Sequence, residues 1–158
     1  MHKMVVHGLT LDPLTNMPIV ILKDKESQRA LPIWIGVFEA NAILLELEKI
    51  DTPRPMTHDL LKNVIEGFKG KVKRVVVSDL KDSTYYANIE ITVNNSNVKI
   101  DSRPSDAIAL ALRTNSPIYV TEKVIASSKI IDKADDDEKI KEWLEDLKPE
   151  DFGKYRGG

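Results

Sequence analysis

The sequence of 158 residues contains no cysteine and only three histidines. The missing cysteines exclude disulfide bonds and thiolate metal sites, and so few histidines argue against a histidine-rich metal centre. No apolar run approaches the roughly 20 residues that a membrane-spanning helix needs, and the first residues contain no apolar signal segment. We therefore expect a cytoplasmic protein without a membrane span.

Several familiar site motifs are missing as well. The sequence has no glycine-rich phosphate loop, no spacing typical of a Ser-His-Asp hydrolase and no zinc-binding histidine motif. What remains is an ordinary composition, with 42% hydrophobic and 30% charged residues, in a chain long enough to bury a proper core. The sequence therefore predicts a globular domain whose site, if any, is built from carboxylates and guanidinium groups.

Charge is distributed unevenly along the chain. Residues 1–130 contain 17 Lys and Arg against 15 Asp and Glu, whereas residues 131–158 contain 6 against 10. A slightly basic body is compatible with nucleic-acid binding but does not demonstrate it. We divide the chain into one domain over residues 1–130 and a C-terminal part, residues 131–158, that reads as an acidic linker followed by an amphipathic helix.

Two similar runs follow each other within the domain, at about residues 4–70 and 71–130. In each run, three segments with the apolar pattern of strands are followed by two segments with helical spacing. Short matches between the runs, such as Thr52-Pro53 with Ser116-Pro117, indicate an internal duplication. The sequence thus predicts an α+β domain made of two β3α2 units.

The two runs differ in where their polar residues stand. Residues 101–106 contain two aspartates and an arginine at a strand-to-helix junction, where the first run has the apolar residues 31–36. Residues 54–59 contain an arginine, a histidine and an aspartate before a helix, where the second run has residues 118–123. We expect these two polar junctions to form opposite walls of one site.

These same segments resemble a known family. Residues 54–61, Arg-Pro-Met-Thr-His-Asp-Leu-Leu, and residues 101–107, Asp-Ser-Arg-Pro-Ser-Asp-Ala, are similar to the two signatures of the bifunctional nuclease (DUF151) family. Residues 31–36, together with Glu39 and Ala40, resemble a third motif. The resemblance covers residues 4–130. It implies duplicated β3α2 units forming one barrel-like mixed sheet flanked by helices, and nuclease activity on both DNA and RNA.

Phosphodiester cleavage needs an activated nucleophile, neutralisation of charge at phosphorus and protonation of the leaving oxygen. The candidate catalytic residues are His58, Asp59, Asp101, Arg103 and Asp106. The candidate substrate-binding residues are Arg54, Thr57 and Ser105. The candidate ligands for a divalent cation, Mg²⁺ or Mn²⁺, are the carboxylates of Asp101, Asp106, Asp59 and Glu39. In this scheme His58 is the general base or acid, Arg54 and Arg103 hold phosphate oxygens, and no organic cofactor is expected.

Each of these residues also has a purely structural explanation. Asp59 and Asp106 stand where an acid stabilises the positive end of a helix dipole. Asp101 and Arg103 are two positions apart on one strand face and fit a structural ion pair. The sequence is therefore compatible with two functions: a metal-assisted nuclease of low sequence specificity, and a non-enzymatic module that binds a ligand or protein at the same junctions. Apolar helix surface also predicts a homodimer or higher homo-oligomer.

Overall fold

Seven strands and four helices make up the structure, a computed structural model that describes residues 1–128 and 130. The strands are β1 (His2–Leu11), β2 (Pro18–Lys23), β3 (Ala30–Trp34), β4 (Gly70–Lys81), β5 (Thr84–Val93), β6 (Ser96–Ser102) and β7 (Ile118–Val120). The helices are α1 (Val37–Leu47), α2 (Thr57–Gly67), α3 (Pro104–Thr114) and α4 (Glu122–Ser127). Among the described residues, no helix has the length and apolar character needed to cross a membrane. The acidic linker and amphipathic helix predicted for residues 131–158 lie outside the described residues.

All seven strands belong to one sheet in the order β3-β2-β1-β7-β4-β5-β6. Neighbouring strands are antiparallel except β4 and β7, which run parallel. Over the described residues the sheet is open, with β3 and β6 as its edges, so the expected barrel-like closure is wrong. The three-residue strand β7 joins two three-stranded units side by side, which leaves β3 and β6 at opposite ends.

The predicted α+β class is confirmed, and the order of elements follows the prediction closely. Each half begins with three strands paired antiparallel in sequence order and continues into helices. The second half differs because β7 is inserted between α3 and α4. An ancestral duplication of the two halves stays a prediction.

Helix α3 is the centre of the helical layer. It begins at Pro104, which suits a first helical position because it lacks the N–H that would have no partner there. Ile108 and Leu110 are completely buried, and burial of such side chains contributes about 1.5–3 kcal/mol each. α3 packs against β4 and β5, while α1 and α2 pack against α3. The first turn of α3 is thereby fixed between its two neighbours.

Helix α2 carries a stripe of apolar residues at helical spacing, but the helix is less buried than this stripe predicts. Only Ile65 of that stripe packs against the core, whereas Leu60, Leu61 and Val64 are exposed. These three side chains instead line a groove beside β5 and β6. The sequence pattern therefore identified the helix correctly, but part of its apolar face lines the groove and is not packed against the core.

Candidate functional site

The first turns of three helices line one cavity of about 350 Å³. Glu39 lies in the first turn of α1, His58 in that of α2 and Asp106 in that of α3. Arg103, the residue before α3, completes the group. Because helix N-termini carry partial positive charge, three of them together stabilise carboxylates and favour anionic ligands.

These four side chains form one continuous series of polar contacts, which we call the four-residue network. Asp106 Oδ1 lies 2.8 Å from Nε2 of His58. The other carboxylate oxygen of Asp106 accepts a hydrogen bond from Arg103 Nε at 2.9 Å. Arg103 Nη2 then donates to Glu39 Oε1 at 3.0 Å. The predicted meeting of the two polar junctions is thus realised through Asp106, with Glu39 as a third participant.

Electrostatics keep two members of this network, Asp106 and Arg103, ionised. The hydrogen bond from His58 holds the pKa of Asp106 below its ordinary value of 3.8, and the Arg103 guanidinium adds to this, outweighing burial, which acts in the opposite direction. The same contact with Asp106 raises the pKa of Arg103. Asp106 is therefore a carboxylate and Arg103 a cation at neutral pH.

His58 is buried, with 7% of its surface exposed, although its position beside a helix start is typical of a surface residue. An ionised Asp106 can only accept a hydrogen bond, so Nε2 of His58 carries the shared proton. In the neutral ring this leaves Nδ1 unprotonated, and within the described residues no hydrogen bond reaches it. His58 also lines both the 350 Å³ cavity and the larger groove beside it.

Asp59 belongs to a different contact set, centred on Arg113. Arg113 is buried, and its Nε donates to Asp59 Oδ1 at 2.8 Å. Its two other nitrogens donate to the backbone carbonyls of Ala109 and Ala42, so one guanidinium joins all three helices. The second Asp59 oxygen accepts from the backbone N–H of Met56.

Burial raises the pKa of Asp59, but the Met56 N–H and the Arg113 guanidinium outweigh it and the net shift is downward. Both carboxylate oxygens of Asp59 are thus occupied by contacts that hold the helices together. Sequence reasoning did not identify Arg113. The only sequence signal for Arg113 was its position as a single arginine in the last turn of an otherwise apolar helix. A cation at that position usually interacts favourably with the negative end of the helix dipole, so the signal did not indicate contacts with other helices.

Asp101 lies outside the network. On β6 it is the register partner of Asn88, so its side chain lies on the opposite sheet face from Ile100 and Ser102. Within the described residues Arg103 pairs with Asp106 and Glu39 and not with Asp101. The expected ion pair between Asp101 and Arg103 is therefore wrong. Arg103, in an extended conformation before α3, contacts Glu39 of α1 instead.

The three candidate substrate-binding residues lie in three different environments. Thr57 lines both the groove and the 350 Å³ cavity. Arg54 instead lines a separate cavity of about 320 Å³, together with Asp59 and Arg113. Ser105 is fully buried, and its hydroxyl has no hydrogen-bond partner among the described residues. Only Thr57 is placed next to the four-residue network.

A groove with a volume of about 1020 Å³ runs along α2, β5 and β6. Its apolar wall contains the following residues: Leu60, Leu61, Val64, Tyr86 and Ile100. Its polar part contains the following residues: Thr57, His58, Thr84, Asp101, Ser102, Arg103 and Asp106. Of these, His58, Arg103 and Asp106 of the network line the smaller cavity as well. A ligand in either space reaches the same polar groups.

The carboxylates do not form a ready site for a divalent cation. Both oxygens of Asp106 and both of Asp59 are occupied by His, Arg or backbone donors, and Glu39 binds Arg103. Over the part of the chain that the structure describes, no group of three or more acidic or histidine side chains is placed to hold a metal ion. Metal binding by the four candidate ligands therefore stays a prediction.

Comparison with known proteins identifies relatives of this chain. An uncharacterized protein of Mycobacterium tuberculosis is 38% identical, over 93% of this chain and 95% of its own length. Bifunctional nuclease 1 of Arabidopsis thaliana is 30% identical over 72% of this chain, and bifunctional nuclease 1 of Oryza sativa subsp. japonica is 27% identical over the same share. The match covers only 38% and 35% of these two plant proteins.

The family model described as the bifunctional nuclease domain matches residues 20–133. This range contains every member of the four-residue network and both contact partners of Arg113 on α1 and α2. The match covers well over half of the chain, and the three motifs recognised in the sequence all lie within it. The chain belongs to the bifunctional nuclease domain family.

Proposed function

We propose that this protein hydrolyses phosphodiester bonds of DNA and RNA at the four-residue network, with low sequence specificity. The observation that carries the proposal is the contact between His58 and Asp106, which orients an imidazole in a cavity lined by three helix N-termini. Family membership supports nuclease chemistry, since plant relatives carry the name bifunctional nuclease. An oriented histidine beside an anion-attracting surface is what phosphodiester hydrolysis requires.

His58 is the general base in this scheme. Its Nδ1 accepts the proton of the attacking water while Asp106 stabilises the imidazolium that forms, as a carboxylate does for the histidine of a hydrolase triad. The depressed pKa of Asp106 keeps it ionised throughout, so the proton stays on the imidazole and then passes to the leaving oxygen. Asp106 acts through His58 and is a positioning residue.

Arg103 is the phosphate-binding group. Glu39 and Asp106 hold its Nη2 and Nε, and in the described residues Nη1 has no hydrogen-bond partner. Its side chain is 44% exposed, so a phosphate oxygen reaches the free edge of the guanidinium. Fixing the guanidinium in advance reduces the entropy lost when it binds phosphate. Thr57, at the rim of the same cavity, contributes a hydroxyl donor.

The experiment compares cleavage of end-labelled single-stranded DNA and RNA by the wild-type protein and by His58→Gln, purified in parallel. We expect His58→Gln to lower kcat by roughly 10²–10⁴-fold, the usual contribution of general acid–base catalysis. His2→Gln is the matched control, because the imidazole of His2 also contacts carboxylates, those of Asp24 and Glu122, which are outside the network. Equal cleavage by wild type and His58→Gln contradicts the proposal.

Assays in Mg²⁺, in Mn²⁺ and in EDTA test the cation prediction separately. Loss of cleavage in EDTA with recovery in Mg²⁺ or Mn²⁺ supports a required divalent cation. Unchanged cleavage in EDTA contradicts it but leaves the role of His58 intact, because that role rests on the contact with Asp106. Cytoplasmic location and homo-oligomerisation stay predictions.

The apolar wall of the 1020 Å³ groove favours a second candidate function, a non-enzymatic module that binds a ligand or a protein. Large, mostly apolar grooves with a few polar groups are typical of binding sites. This function predicts that wild type and His58→Gln both fail to cleave either nucleic acid under every cation condition. The cleavage assay therefore distinguishes the two functions directly.

A further inference from the structure

Phe38 is the most exposed large apolar side chain in the described part of the chain, with 87% of its surface accessible. It lies in the first turn of α1, next to Glu39, which holds Arg103. Burying an exposed phenylalanine ring gains about 1.5–3 kcal/mol, so a flat ligand that covers Phe38 would gain hydrophobic free energy. The ring lines the 350 Å³ cavity together with members of the four-residue network.

The rest of this cavity suits a flat ring with polar edges. Met56 contributes a flexible, polarizable side chain that is 44% exposed, and Asn41 contributes an amide with both donor and acceptor groups. A volume of about 350 Å³ is near the lower limit of small-ligand pockets, which start at roughly 300 Å³. The space therefore takes one ring system and not a folded chain.

Three other aromatic side chains are placed differently. Trp34 is buried, with its Nε1 donating to Asp12. Tyr85 is buried deeply enough to raise the pKa of its hydroxyl to about 12. Tyr86 is 40% exposed but lines the groove and not the cavity. Phe38 is thus the aromatic residue available at the cavity.

We propose that this cavity binds a single unstacked nucleobase of a DNA or RNA strand, with Phe38 stacking on the base and Asn41 hydrogen-bonding to its edge. A base seated there brings its own phosphodiester to Arg103 and His58, which line the same cavity. The inference rests on the proposed function, because it assumes that nucleic acid is the substrate. It adds that substrates with unpaired bases bind better than duplexes.

Binding is measured by fluorescence anisotropy in EDTA, using the His58→Gln background so that the probe stays intact. The probes are a labelled oligodeoxythymidylate and an abasic oligomer of equal length, which has the same backbone charge and no bases. We expect the oligodeoxythymidylate to bind more tightly than the abasic oligomer. Phe38→Ala is expected to weaken binding of the oligodeoxythymidylate about fivefold or more and so to remove this preference, since stacking contributes at least about 1 kcal/mol per base. Phe38→Trp is expected to retain it.

Phe68→Ala is the matched control, because Phe68 is 79% exposed but does not line the cavity. It is expected to leave the preference unchanged. Equal binding of both probes to the parent, or equal loss in Phe38→Ala and Phe68→Ala, overturns the inference. So does a change in oligomeric state of Phe38→Ala without a change in probe preference, which would assign Phe38 to contacts between copies.

The two proposals can fail separately. Cleavage by wild type without base-dependent binding refutes this inference alone, whereas base-dependent binding without cleavage refutes only the hydrolytic function.

Discussion

Asp106 and His58 are 48 positions apart in sequence, yet their side chains meet at 2.8 Å. The contact joins the first turn of α3 to the first turn of α2, and it links the two polar junctions that the sequence pattern singled out. Because α3 is almost completely buried, the position of Asp106 is fixed by the core and not by local loop conformation. The imidazole is therefore oriented by a residue of the most buried helix in the described structure.

Asp106→Asn and Asp101→Asn are expected to differ sharply in cleavage activity. Asp106→Asn removes the anion that stabilises protonated His58, so kcat falls by about 10²-fold or more while KM changes little. Asp101→Asn keeps at least half of the wild-type kcat in our scheme, because Asp101 lines the groove but makes no contact with the network among the described residues. Full kinetic curves for both variants, with the pH profile of kcat, provide the measurement. A larger loss in Asp101→Asn than in Asp106→Asn would reassign the site to β6.

Stability is expected to depend on pH through Asp106. Because the folded-state pKa of Asp106 is below its ordinary value of 3.8, its stabilising effect is fully present above that value. The effect is lost as pH falls through the lower folded-state pKa. Asp106→Asn is thus expected to be less stable than wild type by about 1–3 kcal/mol at neutral pH, and the difference shrinks below about pH 4. Urea unfolding at several pH values measures it, and a difference that is constant down to low pH would contradict the assignment.

Arg113→Met is expected to destabilise the protein by about 2–4 kcal/mol, since it leaves Asp59 and two backbone carbonyls without their buried donor. The methionine retains much of the side-chain volume, so the loss reports on the polar contacts. Arg74→Met is the comparison, because Arg74 is half-buried and contacts Glu90 and the Tyr119 ring but no backbone carbonyl among the described residues. Its loss is expected to cost less, about 1–2 kcal/mol. Similar losses in both variants, measured by chemical unfolding, would show that Arg113 does not have the central role described above.

Two glycines around the end of α2 give opposite expectations. A Cβ on Gly70 would come within 3.0 Å of the Ile65 side chain and 3.1 Å of its carbonyl oxygen, so Gly70→Ala is expected to cost about 1–3 kcal/mol. A Cβ on Gly67 meets nothing within 4 Å, so Gly67→Ala is expected to stabilise by about 0.4–1 kcal/mol. Thermal and urea unfolding of the two variants measure the difference. Equal effects would mean that α2 and β4 are packed more loosely than the structure shows.

The parts of the fold that depend on local pattern could be predicted from sequence. Alternating or continuous apolar residues identified β1 to β6, and Pro104 with Asp106 identified the start of α3. Strand β7 was missed because three residues give too short a pattern to distinguish from a loop. The barrel-like closure was wrong because edge pairing depends on how the two halves are placed, which no local pattern records.

For the candidate site, too, the sequence predicted the local motifs but not the contacts between helices. The motif containing His58 and the one containing Asp106 were identified, and the structure brings these two residues together. The pairing of Arg103 with Glu39 and Asp106 could not be read from the sequence, because it depends on how α1 packs against α3. For the same reason Arg113 gave no signal beyond a basic residue near a helix end.

The open sheet has a consequence for Asp101 itself. In the described part of the chain β6 is the last strand of the sheet, so its outer edge presents backbone N–H and C=O groups to which no described strand pairs, and nearly all of its residues are exposed. Such a strand is a template on which a strand of another molecule can add, and proteins commonly prevent this with charged side chains. Lys99 and Asp101 alternate on one face of β6 and supply charges of opposite sign. We therefore expect them to protect the protein from aggregating through this strand, which gives Asp101 a role in solubility where the sequence had suggested catalysis.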